Sequence, residues 1–298
     1  MAQQDTHARL EVDAPSPGRS LWSDARRRFF NNRAAMGSVF LLCAIALFAV
    51  FGPIVNPNSM EAMDYQFLAH PPTLANSHWF GTDSLGRDLF VRTAFGARIS
   101  LTIGFVTAMI ALFIGVFYGA TAGYVGGRTE GIMMRIVDIL YALPLIFVII
   151  ILATVFGRNI FVIFAAIGAI EWLTMARIVR GQTLSLKQSE YVQAARAMAV
   201  PNMQIIQRHI IPNAIGPVIV FVTLLIPANI LVESFMSFLG LGVQEPLTSW
   251  GVLIKQGAGE METAPWYLII PGAFLAATMF CFNFIGDGLR DALDPTER

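Results

Sequence analysis

Residues 99–127 read ISLTIGFVTAMIALFIGVFYGATAGYVGG, without one Asp, Glu, Lys or Arg. At about 1.5 Å per helical residue, roughly 20 apolar residues cross the hydrocarbon of a bilayer, so this run is long enough to span. It is not alone. Residues 34–60 carry no charge, with an apolar part at 36–55, and 139–157 and 263–286 are also free of charge. Residues 159–176 are broken only by Glu171, and 210–244 only by Glu233. The pattern predicts an all-α integral membrane protein with six transmembrane helices near 36–55, 98–122, 134–156, 160–179, 213–239 and 266–288.

The composition agrees. Hydrophobic residues make up 55 % of the 298 and charged residues 13 %, against about 25 % charged in a soluble domain. That surplus of apolar surface must face lipid. A soluble enzyme, a disordered chain and a nucleic-acid binder are thereby excluded. Lys plus Arg and Asp plus Glu are 20 each, so there is no global basic field. The two cysteines, Cys43 and Cys281, lie in apolar runs, and His7, His70, His78 and His209 have no ligand spacing. A disulfide scaffold and a metal site are not expected.

The basic residues set the orientation. With six spans both termini share a side. Fifteen Lys and Arg fall on that side, and five (Arg87, Arg92, Arg98, Arg158 and Lys255) on the other. Both termini are therefore expected in the cytoplasm. The first apolar stretch is too long, and lacks the following small-residue site, to be read as a cleaved signal. Leu21, Trp22, Ala25 and Phe29 share one helical face among arginines, which suggests an amphipathic helix on the lipid surface or else a basic tail. Residues 1–19, with Pro15, Pro17 and Gly18, are expected to be mobile.

Two polar segments remain, 56–97 outside and 180–212 inside. The chain has no Walker A phosphate loop, because Lys187 follows Leu186 and Lys255 follows Ile254, never glycine. GxSxG is absent as well, which disfavours an intramembrane hydrolase. Any energy from ATP must enter through another chain.

The inner segment reads SEYVQAARAMAVPNMQIIQRHIIPN at 189–213. Ser189 is placed to cap a helix running to Ala199, and Pro201 breaks it before a second short helix leads to His209, Ile211 and Pro212. Ala194 and Ala195 permit close approach of a neighbouring backbone. Such a helix–turn–helix is a knob for a soluble partner, or an interfacial helix with no partner.

This segment resembles the EAA loop in permease subunits of bacterial ATP-binding-cassette importers, roughly E-A-A-x-x-x-G, nine residues, then I-x-L-P. Gln193, Ala194 and Ala195 fill the first places. Ala199 stands where glycine is usual and His209 where isoleucine is, and Ile211 and Pro212 match the ending. Gln193 removes the acidic group. Ala199 implies a turn that needs no left-handed residue, or one that tolerates strain. Further stretches are similar to the peptide-importer branch, specifically its second, C-type permease, and closest to the oligopeptide version. They are LWSDARRRFFNNRAA at 21–35, FGTDSLGRD at 80–88, GARISL at 96–101, AGYVGG at 122–127, MRIVDILYALP at 134–144, SFLGLGVQEPLTSWG at 237–251 and NFIGDGLRDALDP at 283–295.

The resemblance implies a type I importer permease in the bacterial inner membrane. Its parts would be a tail and interfacial helix at 1–35, a first span at 36–55, an external segment at 56–97, a permease core at 98–288 with its coupling loop at 180–212, and a tail at 289–298. It implies a second homologous permease, two ATPase subunits holding ATP and Mg, an external peptide-binding protein and surrounding lipid, with no cofactor on this chain and no nucleic acid. The implied coupling residues are Glu190, Tyr191, Gln193, Ala194, Ala195, Arg196, Ala199, His209 and Pro212. The cargo implied is an oligopeptide, with dipeptide, nickel or a glycoside as alternatives. A secondary transporter or channel would not need the 180–212 loop.

Within the spans, Glu233, Met236, Ser237 and Gly240 share one face, with Pro227 above them. Glu233, Met236, Ser237 and Pro144 are the candidate pore or gate residues, with an interhelical hydrogen bond as the other reading of Glu233. Glu171 is expected to pair with Arg177 or Arg180 of a neighbouring turn or of a neighbouring chain, and Arg135 with Asp138. Pro144 is expected to bend its span. Asp83, Arg87 and Asp88, beside Gly81 and Gly86, suggest a turn that anchors the outer segment, or a substrate contact.

Overall fold

The computed structural model describes residues 21–74 and 76–293. The tail at 1–19 lies outside them. The elements are α1 (Leu21–Asn31), α2 (Arg33–Val55), α3 (Leu89–Val125), α4 (Gly127–Tyr141), α5 (Leu145–Phe156), α6 (Ile160–Leu186), α7 (Glu190–Ala197), α8 (Asn202–Ile205), a π-turn (Ile206–Ile210), α9 (Ile211–Phe238), α10 (Trp250–Gly259) and α11 (Pro265–Leu293). No strand occurs among the described residues. Five segments are long and apolar enough to cross a membrane: α2, α3, α6, α11, and the run from Asn202 through α9. A sixth crossing is formed if α4 and α5 are taken as one span bent by 79°.

Helix ends follow from short polar side chains that satisfy the first free N–H groups. Asn32 Oδ1 accepts from Ala35 N at 3.1 Å, Asp88 Oδ1 from Val91 N at 2.9 Å, and Asn159 Oδ1 from Val162 N at 3.0 Å. At the far end of α3, Gly126 and Gly127 take φ +73° and +59°, which lets α4 leave in a new direction. Pro144, exposed and in extended conformation, breaks α4 from α5.

The core is built around α3, which packs against α2, α6 and α9. Against α6 it presents Gly115, Gly119 and Gly123 at intervals of four, so the three lie on one face. A Cβ at Gly115 would lie 2.5 Å from Met175 Cβ, one at Gly123 2.8 Å from Thr183 Cβ, and one at Gly119 would run into the Ala176 carbonyl oxygen. The two helices therefore meet backbone against side-chain base, the small-residue packing common between membrane helices.

Several boundaries differ from those read in the sequence. α3 begins at Leu89 rather than 98, because Arg92 and Arg98 are both partnered within the fold. Arg92 is 2 % exposed and bonded to Asp83, while Arg98 donates to the carbonyls of Ala49 and Val50 at 2.5 and 2.7 Å. α6 continues past 179 to Leu186. The second short inner helix is not separate: it runs through a π-turn into α9, giving one segment from Asn202 to Phe238. Pro212 explains the π-turn, since a proline ring clashes with the carbonyl four residues back and the wider turn moves that carbonyl aside. α1 packs on α11, with Ala25 8 % exposed and Phe29 against the surface at Gly288.

Candidate functional site

α7 is the short helix of the inner loop. Its two apolar residues three apart, Val192 (0 % exposed) and Ala195 (2 %), point into the core beside Ile205, Ile206 and Ile210. Tyr191, Gln193, Ala194, Arg196 and Met198 stay exposed. The two alanines thus have opposite roles. Ala194 lies on the open face, whereas Ala195 is closed off by the chain's own packing. The close approach expected at both is available only at Ala194. Ser189 precedes the helix, but its hydroxyl donates to the Leu186 carbonyl at 2.6 Å and does not cap α7.

The helix ends in a Schellman turn. Val200 N donates to Ala195 O at 3.1 Å and Ala199 N to Arg196 O at 2.9 Å. The residue at the left-handed position of that turn is Ala199, with φ +57°. Of the two readings of Ala199, the structure has the strained one: the turn keeps its left-handed geometry although a Cβ is present. His209 sits with its ring 6.3 Å from that of Tyr191, and Pro212 is exposed.

Below α7 lies a residue that was quoted only as part of the AGYVGG stretch. Tyr124, at the end of α3, is 2 % exposed. Its hydroxyl accepts from Arg196 Nε at 3.1 Å and donates to Asn202 Oδ1 at 3.3 Å. The Arg196 guanidinium lies 4.7 Å from the ring centroid and the Lys187 ammonium 5.8 Å from it. One tyrosine thus joins α3, the end of α6, α7 and the start of α8. No single stretch of sequence shows this meeting.

Two arginines of α6 are paired with acids of α4. Arg180 pairs with Glu130, its Nε at 2.6 Å, and Arg177 with Asp138 at 2.8 Å while covering the Tyr141 ring at 4.3 Å. Asp138 therefore bonds to Arg177 rather than to Arg135. Glu171 does not receive either of the arginines expected for it, and among the described residues no hydrogen bond or ion pair reaches it.

The carboxylate of Glu233 is 0 % exposed. It accepts from Ser100 Oγ of α3 at 3.0 Å and from Ser237 Oγ at 2.6 Å, with Ser234 Oγ at 3.5 Å. Ser100 Oγ in turn accepts from Trp250 N of α10 at 3.3 Å. Met236 and Ser237 are 1 % and 2 % exposed. Glu233 and Ser237 belong to a hydrogen-bonded joint between α9, α3 and α10, Met236 is packed in the apolar core beside it, and Pro144 lies apart from them at the α4–α5 bend.

At the other end of the bundle the GTDSLGRD stretch is a charged clasp. Asp83 (0 % exposed) accepts from Arg87 Nε at 2.6 Å, from Arg92, and from the backbone N–H of Leu85 and Arg87 at 2.9 and 2.8 Å. Arg92 also donates to Tyr267 Oη at 3.0 Å and Gln256 Oε1 at 2.9 Å. Arg87 reaches Glu245 Oε1 at 3.1 Å. This hydrogen bond holds the Glu245 carboxyl below its usual range. Burial alone would lower Arg87, but Asp83 and Glu245 raise it instead. Asp83 thereby ties the turn at 83–87 to the start of α3 through Arg92. Among the described residues no three His, Cys, Asp or Glu side chains converge as metal ligands.

This architecture has known counterparts. Residues 20–72 match the model described as the N-terminal TM domain of oligopeptide transport permease C. The Oligopeptide transport system permease protein OppC of Haemophilus influenzae is 56 % identical over 281 residues, 94 % of this chain and 90 % of that one. The protein of the same name from Escherichia coli K12 is 52 % identical over 290 residues, 97 % and 95 % of the two chains. A chain of the inward-facing MetNI methionine ABC transporter shares the fold, with TM-score 0.55 at 19 % identity, covering 67 % of this chain and 94 % of its own. Residues 115–298, more than half of the chain and including α7 and α9 with Glu233, match the model for the binding-protein-dependent transport system inner membrane component, and the chain belongs to that family.

Proposed function

We propose that the chain is one of two pore-forming permeases in an ATP-driven oligopeptide importer. Partner subunits bind and hydrolyse ATP with Mg, and an external binding protein delivers the peptide. Both termini and α7 face the cytoplasm. The carrying observation is α7 itself. It is an exposed short helix whose inner face, Val192 and Ala195, is locked into the core, and whose turn leads directly into the continuous segment from Asn202 to Phe238. An ATPase that grips Tyr191, Gln193, Ala194 and Met198 would move that segment rather than deform a loop. The similarity to oligopeptide permeases along nearly the whole chain supports the cargo class.

The test is reconstitution of this chain with its companion permease, two ATPases and binding protein in liposomes. Uptake of short peptides should require both ATP and the binding protein. Uptake driven by an ion gradient without ATP, or robust ATP hydrolysis by the purified chain alone, would overturn the reading.

A further inference from the structure

Beside α7 is a cleft of about 630 Å³ lined by Tyr124, Lys187, Arg196, Ala199, Pro201 and Asn202. Its chemistry is one-sided. Lys187 and Arg196 flank the same aromatic ring. Arg196 uses only Nε, on the Tyr124 hydroxyl, so the outer edge of its guanidinium fork is free among the described residues. Among the described residues the Lys187 ammonium has the ring and no ion pair, the neighbouring Glu130 being engaged by Arg180. This contrasts with Arg177 and Arg180 on the same helix as Lys187, each neutralised by its own acid.

The cationic pair is built rather than incidental. Tyr124 is buried, fixed by two hydrogen bonds, and holds the guanidinium by its hydroxyl and its ring face. A planar fork fixed by its inner nitrogen presents its remaining N–H groups in a defined direction, the geometry that suits a carboxylate. The cleft is also continuous with the exposed face of α7, since Arg196 belongs to both. Gln193 on that face is neutral, and the exposed acid of α7, Glu190, stands in its first turn, away from Arg196 in the last.

We infer that this cleft receives a carboxylate side chain of the docked ATPase subunit, with Arg196 as the directional contact and Lys187 as the second charge. The inference rests on the reading of α7 as the docking helix. In this contact the permease supplies the cations and the ATPase supplies the acid.

The experiment uses the complete complex in nanodiscs, with ATPase retention measured as a function of NaCl. A cysteine at Ala194 reports docking by crosslinking to the ATPase. The neutral double variant Lys187→Gln/Arg196→Gln should bind the ATPase about tenfold or more weakly and show a flatter salt dependence. The charge-keeping pair Lys187→Arg/Arg196→Lys should keep the parent's salt slope, because the cations remain, while losing part of the affinity with the directional guanidinium fork. Unchanged affinity and salt slope in the neutral variant, with the Ala194 crosslink intact, overturn the carboxylate inference alone. Absence of the crosslink in the parent complex overturns the docking reading. If removing anionic lipid from the parent's nanodiscs reproduces the loss, and the neutral variant is indifferent to lipid, the occupant is a lipid headgroup and the inference fails.

Discussion

The turn after α7 offers a direct test of how the inner loop is held. Ala199 occupies φ +57°, a conformation that costs an L-residue about 1–2 kcal/mol. Its methyl group is exposed, so it contributes little buried area in return. Ala199→Gly should remove that strain. Glycine also has more freedom to lose from the unfolded loop, about 0.5–1 kcal/mol. The balance is a stabilisation between about 0 and 1.5 kcal/mol, centred near 0.7 kcal/mol, about threefold in the local opening equilibrium. Hydrogen exchange is the suitable assay, because the loop can open without global unfolding. The amides of Ala199 and Val200, bonded to the carbonyls of Arg196 and Ala195, should exchange about threefold more slowly in the glycine variant. Ala199→Val should accelerate them, since a β-branched residue tolerates this region less well. Faster exchange in the glycine variant would show that the turn stores no strain, and the Schellman assignment would lose its energetic basis.

Four further outcomes are expected. Ala194→Glu should lower ATPase docking and leave thermal stability of the isolated chain unchanged, whereas Ala195→Glu should destabilise the chain itself by about 2 kcal/mol or more, through burial of a charge; equal stability of the two would contradict their opposite orientations. Gly119→Ala should cost about 1–3 kcal/mol by overpacking against the Ala176 carbonyl, read as a lower melting temperature in detergent, and a neutral result would mean that α3 and α6 separate easily. Because the Glu245 carboxyl is held below its ordinary range, its contact with Arg87 contributes fully above that range and is lost as pH falls through the lowered value; the side chain is 57 % exposed, so Glu245→Gln should remove no more than about 1 kcal/mol of acid-dependent stability, and an unchanged acid limb of the melting-temperature profile would show the contact to be inert. Cysteines at Leu74 and Met261, exposed at 86 % and 56 %, should react with an impermeant reagent outside intact cells and one at Gln193 should not; labelling at Gln193 would invert the orientation.

The spans were legible because runs without charge are what a bilayer demands. Their ends were less so. Scanning for charge stops a helix at Arg92, Arg98, Arg177 or Arg180, but each of these arginines finds an acceptor inside the fold and the helix continues through it. Ala194 and Ala195 were indistinguishable as small residues, and only the i, i+3 relation of Val192 to Ala195 separates the inward face from the open one. The strained turn was foreshadowed by alanine at a glycine position. Tyr124 could not be weighed from sequence, since its partners, Lys187, Arg196 and Asn202, are all more than 60 residues away. The hub at Glu233 is similar: Ser100 and Trp250 come from distant segments.

The glycine seam between α3 and α6 also limits how the bundle can move. Its recesses at 115, 119 and 123 face side-chain bases at Met175, Val179 and Thr183, again four residues apart. Recess and tooth share a pitch, as in a rack. Sliding α6 along α3 by a fraction of a turn would drive each tooth onto the bulk between recesses, so small displacements are opposed by close-packed atoms. The next matched setting is about one helical turn away, roughly 5–6 Å. The two helices are thus indexed to one another, and gradual motions must be carried by elements off this rack, such as α4 and α5 with their bend at Pro144.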